Sequence, residues 1–213
     1  MNKALIFDVD GTLWDAVSVI TDSWNLTASR YPEITTTISP SEMSKYMGQP
    51  MSAFVKLFPT IDERKALEVL DKCCKEEIDY LYDHPGRLYD GMKETIIRLS
   101  KDYDLYIVSN CQEGYIEALL HTTGLESYFK DFENFGRTGK LKDENIRILM
   151  ERCDIKKAIY IGDTATDMDS AFKNDLPFIY ASYGMGEVDN ARYLINSPSE
   201  LPEVIKSTRY YEL

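Results

Sequence analysis

A doubly wound parallel α/β sheet carrying an inserted helical segment is the fold this sequence predicts, and three observations predict it. Apolar runs at residues 4–8, 105–108 and 158–161 each end in acidic or polar residues. Amphipathic stretches of helical period lie between the later runs. Residues 15–84 carry helical patterns alone, with no buried-strand run among them.

The first run, Ala-Leu-Ile-Phe-Asp, is continuously apolar up to its acid, the pattern of a central parallel strand buried on both faces. Helical patterns follow at 16–30, 41–47, 51–58 and 62–82. Pro59 separates the last two, and Glu68, Lys72 and Glu76 support the final helix at four-residue spacing. Pro85-Gly86 marks the return to the core. From there helices are expected at 92–99, 114–122, 144–152 and 166–174, with Gly124 as the stop of the second. They alternate with the run at 105–108, which leads into Ser109-Asn110, and the run at 158–161, which leads into Gly162-Asp163. A shorter strand, 178–181, follows Pro177. Such alternation builds a parallel sheet that binds ligands outside the carboxyl ends of its strands. The expected division is a core of residues 1–14 and 85–213 with an inserted helical domain at 15–84, which suits a chain of 213 residues.

With 44% hydrophobic and 28% charged residues and no repeat or low-complexity stretch, the chain reads as an ordinary folded protein. Its formal net charge of −12 discourages binding to nucleic acid or to anionic membranes. A phosphorylated ligand would be repelled too, so its site must supply local positive charge from a cation or a lysine. Residues 1–7 offer one lysine and an apolar run too brief for a signal peptide or a span, so the expected location is the cytoplasm. Cys73, Cys74, Cys111 and Cys153 lack paired Cys-x-x-Cys spacing and read as reduced thiols. His84 and His121 are too few for a histidine metal centre, so a metal must sit on carboxylates. Oligomeric state is not legible.

Chemistry concentrates in four segments. Asp8-Val9-Asp10-Gly11-Thr12 sets two carboxylates on one side of extended backbone where the first strand ends, and Gly11 permits a tight turn. One acid can then attack while the other moves a proton. Acids at strand ends are also common as solvated loop residues, and this segment alone leaves both readings open. Gly162-Asp163-Thr164-Ala165-Thr166-Asp167 repeats the pattern after a second buried strand. Two acid clusters at neighbouring strand ends repel unless a hard divalent cation lies between them, and magnesium suits a site of few carboxylates and a phosphate oxygen. Asp167 reads equally as a helix N-terminal acid. Ser109-Asn110 offers a hydroxyl and backbone N–H groups to phosphate oxygens, although both are ordinary turn residues. Lys142 precedes a helix and can bring a point charge to phosphate and nucleophile, with Lys140 as its rival.

Together and in this order, the four segments resemble the haloacid dehalogenase superfamily of phosphatases, in particular its phosphoglycolate phosphatase-like and sugar-phosphatase-like members. The resemblance covers nearly the whole chain. It implies Asp8 as nucleophile and Asp10 as general acid and base. It implies phosphate held by Thr12, Ser109, Asn110 and Lys142, and Mg2+ held by Asp8, Asp10 (through its carbonyl), Asp163 and Asp167. The insertion resembles the family's cap, which closes over the site and selects substrates. An acid at position 10 argues for phosphate-ester chemistry, since the dehalogenases and phosphonate-cleaving members lack it. One departure is that Asp143 follows Lys142 where the family usually has proline.

The implied activity is a magnesium-dependent phosphatase acting on a small phosphorylated metabolite through an aspartyl-phosphate. A mutase resembling β-phosphoglucomutase is the alternative, ranked second because Gly48-Gln49-Pro50-Met51-Ser52 lacks the arginine that follows the cap-loop glycine in those enzymes. A receiver-type signalling module and a catalytically dead binding relative rank lower: a receiver's phosphoacceptor sits on a middle strand, and every expected acid is present here. Helical spacing assigns most cap aromatics, Trp24, Tyr31, Tyr46, Phe54, Phe58, Tyr80 and Tyr82, to core packing, and residues 48–51 form a candidate specificity loop.

Overall fold

The computed structural model describes residues 3–212, so Met1, Asn2 and Leu213, at the extremes of the expected core, lie outside the described residues. In chain order the strands are β1 (Ala4–Phe7), β2 (Trp14–Asp15), β3 (Arg87–Leu88), β4 (Asp104–Ser109), β5 (Phe129–Asn134), β6 (Ala158–Gly162), β7 (Phe178–Ala181) and β8 (Leu194–Ile195). The helices are α1 (Val17–Ala28), α2 (Pro40–Met43), α3 (Glu63–Asp83), α4 (Met92–Leu99), α5 (Tyr115–Thr123), α6 (Phe135–Thr138), α7 (Lys142–Arg152), α8 (Ala165–Phe172) and α9 (Leu201–Ser207).

Six strands form one parallel sheet in the order β5-β4-β1-β6-β7-β8. β1 lies inside it, as its apolar run requires: all four residues are buried, and each large side chain contributes about 1.5–3 kcal/mol by leaving water. Register sets the chemistry. Phe7 pairs with Ile107 on one side and Ile161 on the other, so Asp8, Ser109 and Asp163 emerge together at the carboxyl edge. The Asp8 N–H donates to the Ile161 carbonyl at 2.9 Å, which holds the chain extended one residue past the strand.

Residues 16–83 contribute α1, α2, a 3-10 helix Met51–Leu57, and α3, with no strand of the six-stranded sheet. The chain leaves for this segment through β2 and returns through β3. These two pair antiparallel, Trp14 with Leu88 and Asp15 with Arg87. α1 packs along α3 around Trp24, which stacks on Phe58 with ring centroids 6.2 Å apart. Trp24, Phe54 and Phe58 are thus packed inside, as helical spacing suggests, whereas Tyr82 is exposed.

Several elements differ from the sequence expectation for physical reasons. The helix expected at 41–47 is a single turn, Pro40–Met43, started by a Ser39–Glu42 capping box, and Gly48 turns with φ +75°. The stretch at 51–58 winds as a 3-10 helix. The helix expected from 144 begins at Lys142. β5, β8 and α9 are additional elements. Gly124 ends α5 in the left-handed conformation, as expected.

Candidate active site

Asp8 stands just past β1, buried, with one carboxylate oxygen engaged and the other free of partners. Lys142 donates from Nζ to Asp8 Oδ1 at 2.7 Å and to Asp167 Oδ1 at 2.5 Å, and Asp8 Oδ2 has no hydrogen-bond partner. Lys142 reaches this position because α7 begins with it, its stem wholly buried. Lys140 instead lies on the surface beside Glu144 at 3.7 Å, so the geometry favours Lys142 over its rival. Burial alone would discharge Lys142, but Asp167 and Asp8 outweigh it and keep the ammonium charged well above the ordinary lysine range.

Carboxylate oxygens of Asp8, Asp163 and Asp167 lie within 4.8 Å of one another, all buried. At that range and an effective dielectric near 20, each like-charged pair repels by roughly 3–4 kcal/mol. One ammonium cannot balance three such groups. Burial first, and then neighbouring carboxylates, push Asp8 and Asp163 above the usual carboxylate range in the metal-free protein. An all-oxygen donor set with an unpartnered buried oxygen on Asp8 fits a hard divalent cation such as Mg2+.

Asp163 is fixed from the opposite side. Backbone N–H groups of Met185 and Gly186 donate to its Oδ2 at 2.8 and 3.2 Å. Gly11, at φ +81°, packs its Cα against the same carboxylate, and any Cβ there would overlap Asp163. The tight turn after Asp10 therefore needs glycine for its conformation and for its clearance. Thr12 is buried beside the same carboxylate: its hydroxyl donates to Asp163 Oδ1 at 3.5 Å, so its side chain helps orient Asp163.

Asp167 caps its helix and also joins the acid cluster. As the third residue of α8 it forms a capping box with Thr164, accepting from the Thr164 N–H at 3.0 Å and hydroxyl at 2.6 Å through Oδ2. Its Oδ1 holds Lys142. It belongs to the acid cluster, yet both oxygens are engaged, which distinguishes it from Asp8.

Asp10 is not one of the three clustered acids. Tyr115, at the start of α5, donates its hydroxyl to Asp10 Oδ1 at 2.6 Å. Burial raises the Asp10 carboxyl to about 7, opposed by the Tyr115 hydrogen bond and reinforced by Asp8. Ser109 and Asn110 are buried at the end of β4, and Asn110 Nδ2 donates to the Gly48 carbonyl at 3.0 Å, tying the sheet edge to the loop at 48–51. A chamber of about 30 Å³ opens there, lined by Asp10, Ser109 and Asn110 below and Gly48, Gln49 and Met51 above.

Sequence reasoning missed Tyr115, Glu77 and the Met185-Gly186 loop. Only Glu77 left a signal: it interrupts the buried stripe Ala66, Leu70, Cys73, Leu81 of α3, where a charged residue has no place in a plain packing face.

An inserted segment on a parallel sheet, with acids from β1 and β6 around a buried lysine, is the arrangement of a phosphate-handling α/β hydrolase. The chain belongs to the haloacid dehalogenase-like hydrolase family, whose model matches residues 5–181. It is similar to a phosphoglycolate phosphatase of Mesorhizobium japonicum, 28% identical over 193 residues that span 84% of this chain and 82% of that protein. A 5'-nucleotidase of Pseudomonas aeruginosa is 25% identical over 88% of this chain and 86% of its own. Among solved structures, a predicted phosphatase from Clostridium acetobutylicum superposes with a TM-score of 0.80 at 28% identity, covering 97% of this chain and 98% of that one. Among the described residues, no helix is long and apolar enough to cross a membrane.

Proposed function

We propose that this hydrolase is a magnesium-dependent phosphatase of a small phosphorylated metabolite, with Asp8 as the phosphoryl acceptor. The observation that carries the reading is the pairing at Asp8: one oxygen held by Lys142, the other buried and unpartnered at the mouth of the acid cluster. A carboxylate so held is oriented for in-line attack and partly neutralised before a phosphate dianion approaches.

Asp8 Oδ2 and Asp163 would hold Mg2+ together with the Asp10 carbonyl, and Asp167 contributes chiefly by positioning Lys142. The bound cation supplies charge neutralisation for the phosphoryl oxygens. Asp8 attacks phosphorus and the ester oxygen leaves with its electron pair. Asp10, whose carboxyl is raised to about 7 by burial, gives that oxygen a proton, then takes one from the water that cleaves the aspartyl-phosphate. The Ser109 hydroxyl and the Asn110 N–H hold phosphate oxygens at the edge of β4. Residues 15–84 act as a cap on a core of 1–14 and 85–213, contacting it through the Gly48 and Glu77 hydrogen bonds to Asn110 and Gln112. The relatives' names, phosphoglycolate phosphatase and pyrophosphatase among them, support phosphate-ester or anhydride substrates.

No Lys or Arg among the described residues lines the chamber, so the second phosphate that a mutase must grip has no partner there. Phosphate release from a panel of phosphomonoesters, with magnesium and with chelator, tests the reading. Turnover should require magnesium and vanish in Asp8→Asn; substantial turnover by that variant refutes it.

A further inference from the structure

The chamber above Asp10 contains a feature that hydrolysis of the ester does not use. Glu77, on α3, is 2% exposed and lines the chamber, where its two carboxyl oxygens are each approached by a donor. Trp24 Nε1 donates to Oε2 at 2.5 Å, and Gln112 Nε2 donates to Oε1 at 2.7 Å. Two donors on two oxygens is the pattern that suits a carboxylate anion, because a protonated oxygen would need an acceptor instead. Yet among the described residues Glu77 forms no ion pair, and no Lys, Arg or His lines the chamber. Burial consequently raises Glu77 to about 8. Two donors fix the orientation of the Glu77 carboxyl, and the chamber lining provides no cation for it.

A second and independent observation points the same way. Asn110 is 4% exposed and lines the same chamber, and its Oδ1 is buried with no hydrogen-bond partner. One Nδ2 hydrogen is donated to the Gly48 carbonyl, which fixes the amide, and Oδ1 is left as an acceptor for a ligand. The remaining wall is aromatic and thioether: Trp24 and Phe54, with ring centroids 5.4 Å apart, together with Met47, Met51 and Tyr115. Such faces attract cations and do nothing for anions. A buried acceptor without a donor is costly, and a ligand N–H can supply what it lacks.

From these groups we infer that the leaving alcohol bears a protonated amine: the chamber takes an aminoalkyl phosphate, its ammonium set between Glu77 and Asn110 Oδ1, and Glu77 is the specificity-determining residue. The inference rests on the phosphatase reading and deepens it. It also separates this chain from relatives named for phosphoglycolate, whose leaving group is an anion that would find no cationic partner among the residues lining the chamber. The space of about 30 Å³ admits a substrate only if the loop at 46–51 or the helices above it move aside.

Three nearly isosteric esters test this with one property varied: 2-aminoethyl phosphate, 2-hydroxyethyl phosphate and 2-phosphoglycolate, whose far ends are positive, neutral and negative. With magnesium at neutral pH, kcat/KM should fall in that order, with at least a tenfold step from the first to the second. In Glu77→Gln the ratio of the first to the second should drop to within about threefold of unity. A ratio is immune to a general loss of folded enzyme, and the wild-type series needs no variant at all. Wild-type preference for the neutral or anionic ester, or an unchanged ratio in Glu77→Gln, overturns the inference and leaves Glu77 a structural hydrogen-bond acceptor. p-Nitrophenyl phosphate is the control. If it too is inert, the phosphatase reading fails and takes the inference with it; if it is cleaved while the charge order is absent, only the inference fails.

Discussion

Replacing Lys142 with methionine removes the ammonium that sits between two buried carboxylates while nearly keeping its volume. The Nζ lies 2.7 Å from Asp8 and 2.5 Å from Asp167, and at an effective dielectric near 20 each such contact is worth roughly 6 kcal/mol. The cost of desolvating the ions offsets much of that, and removing one partner of a buried pair costs about 3–5 kcal/mol net. For a chain of this size, each kcal/mol moves Tm by about 2–4 °C. Thermal unfolding in chelator should therefore show Lys142→Met melting about 6–20 °C below the wild type. Magnesium should raise the variant's Tm by more than it raises the wild type's, since added positive charge replaces what was lost. Turnover, lacking the charge on Asp8, should fall about 10²–10³-fold. A variant Tm within about 2 °C of wild type in chelator would refute the reasoning, because the acid cluster would then not depend on Lys142 for its balance.

Three further outcomes are expected. Glu77 has a folded pKa of about 8, above its ordinary 4.5, so its contribution to stability is complete below about pH 4.5 and is lost as pH rises through 8. Denaturant titrations of metal-free protein should show Glu77→Gln escaping that decline, gaining up to about 4–5 kcal/mol on the wild type by pH 9, and parallel curves would contradict it. Tyr115→Phe frees Asp10 of the hydrogen bond that lowers its pKa, so the Asp10 limb of the pH–rate profile should move up and kcat fall about tenfold; an unmoved profile would detach Tyr115 from the proton transfer. Gly11→Ala, which forces a Cβ into Asp163 at φ +81°, should fold less stably and lose the magnesium-induced rise in Tm. A full magnesium response in that variant would show that Asp163 is not held by the turn.

The parts of this fold that were legible in the sequence are those whose environment is uniform. β1 and β6 are buried on both faces, so every residue is apolar and the run identifies itself. β5 escaped because it is an edge strand written Phe-Lys-Asp-Phe-Glu-Asn, whose acids are met in part by Arg152 of α7, at 2.8 Å from Asp131 and 2.5 Å from Glu133. No local pattern announces a partner that distant along the chain. β8 has two residues, too few for any period to show. In the site, Asp8, Asp10, Asp163 and Lys142 were accessible through strand ends and through resemblance. The choice between Lys142 and Lys140 was open because it depends on where α7 begins. The contact of the Thr12 hydroxyl with Asp163 is not legible locally, because its partner lies 151 residues away. Glu77, Gln112 and Trp24 meet only when α1 and α3 pack over the loop after β4, and the single hint, a glutamate in an apolar stripe, does not reveal its partners.

Covalent capture of phosphoryl on Asp8 tests the central claim most directly. Rapid quenching during turnover of an accepted phosphomonoester, followed by borohydride reduction and peptide mass spectrometry, should find Asp8 converted to homoserine, with no such product in Asp8→Asn. Phosphate release with Asp8 unmodified, or with the label on another residue, would contradict the account.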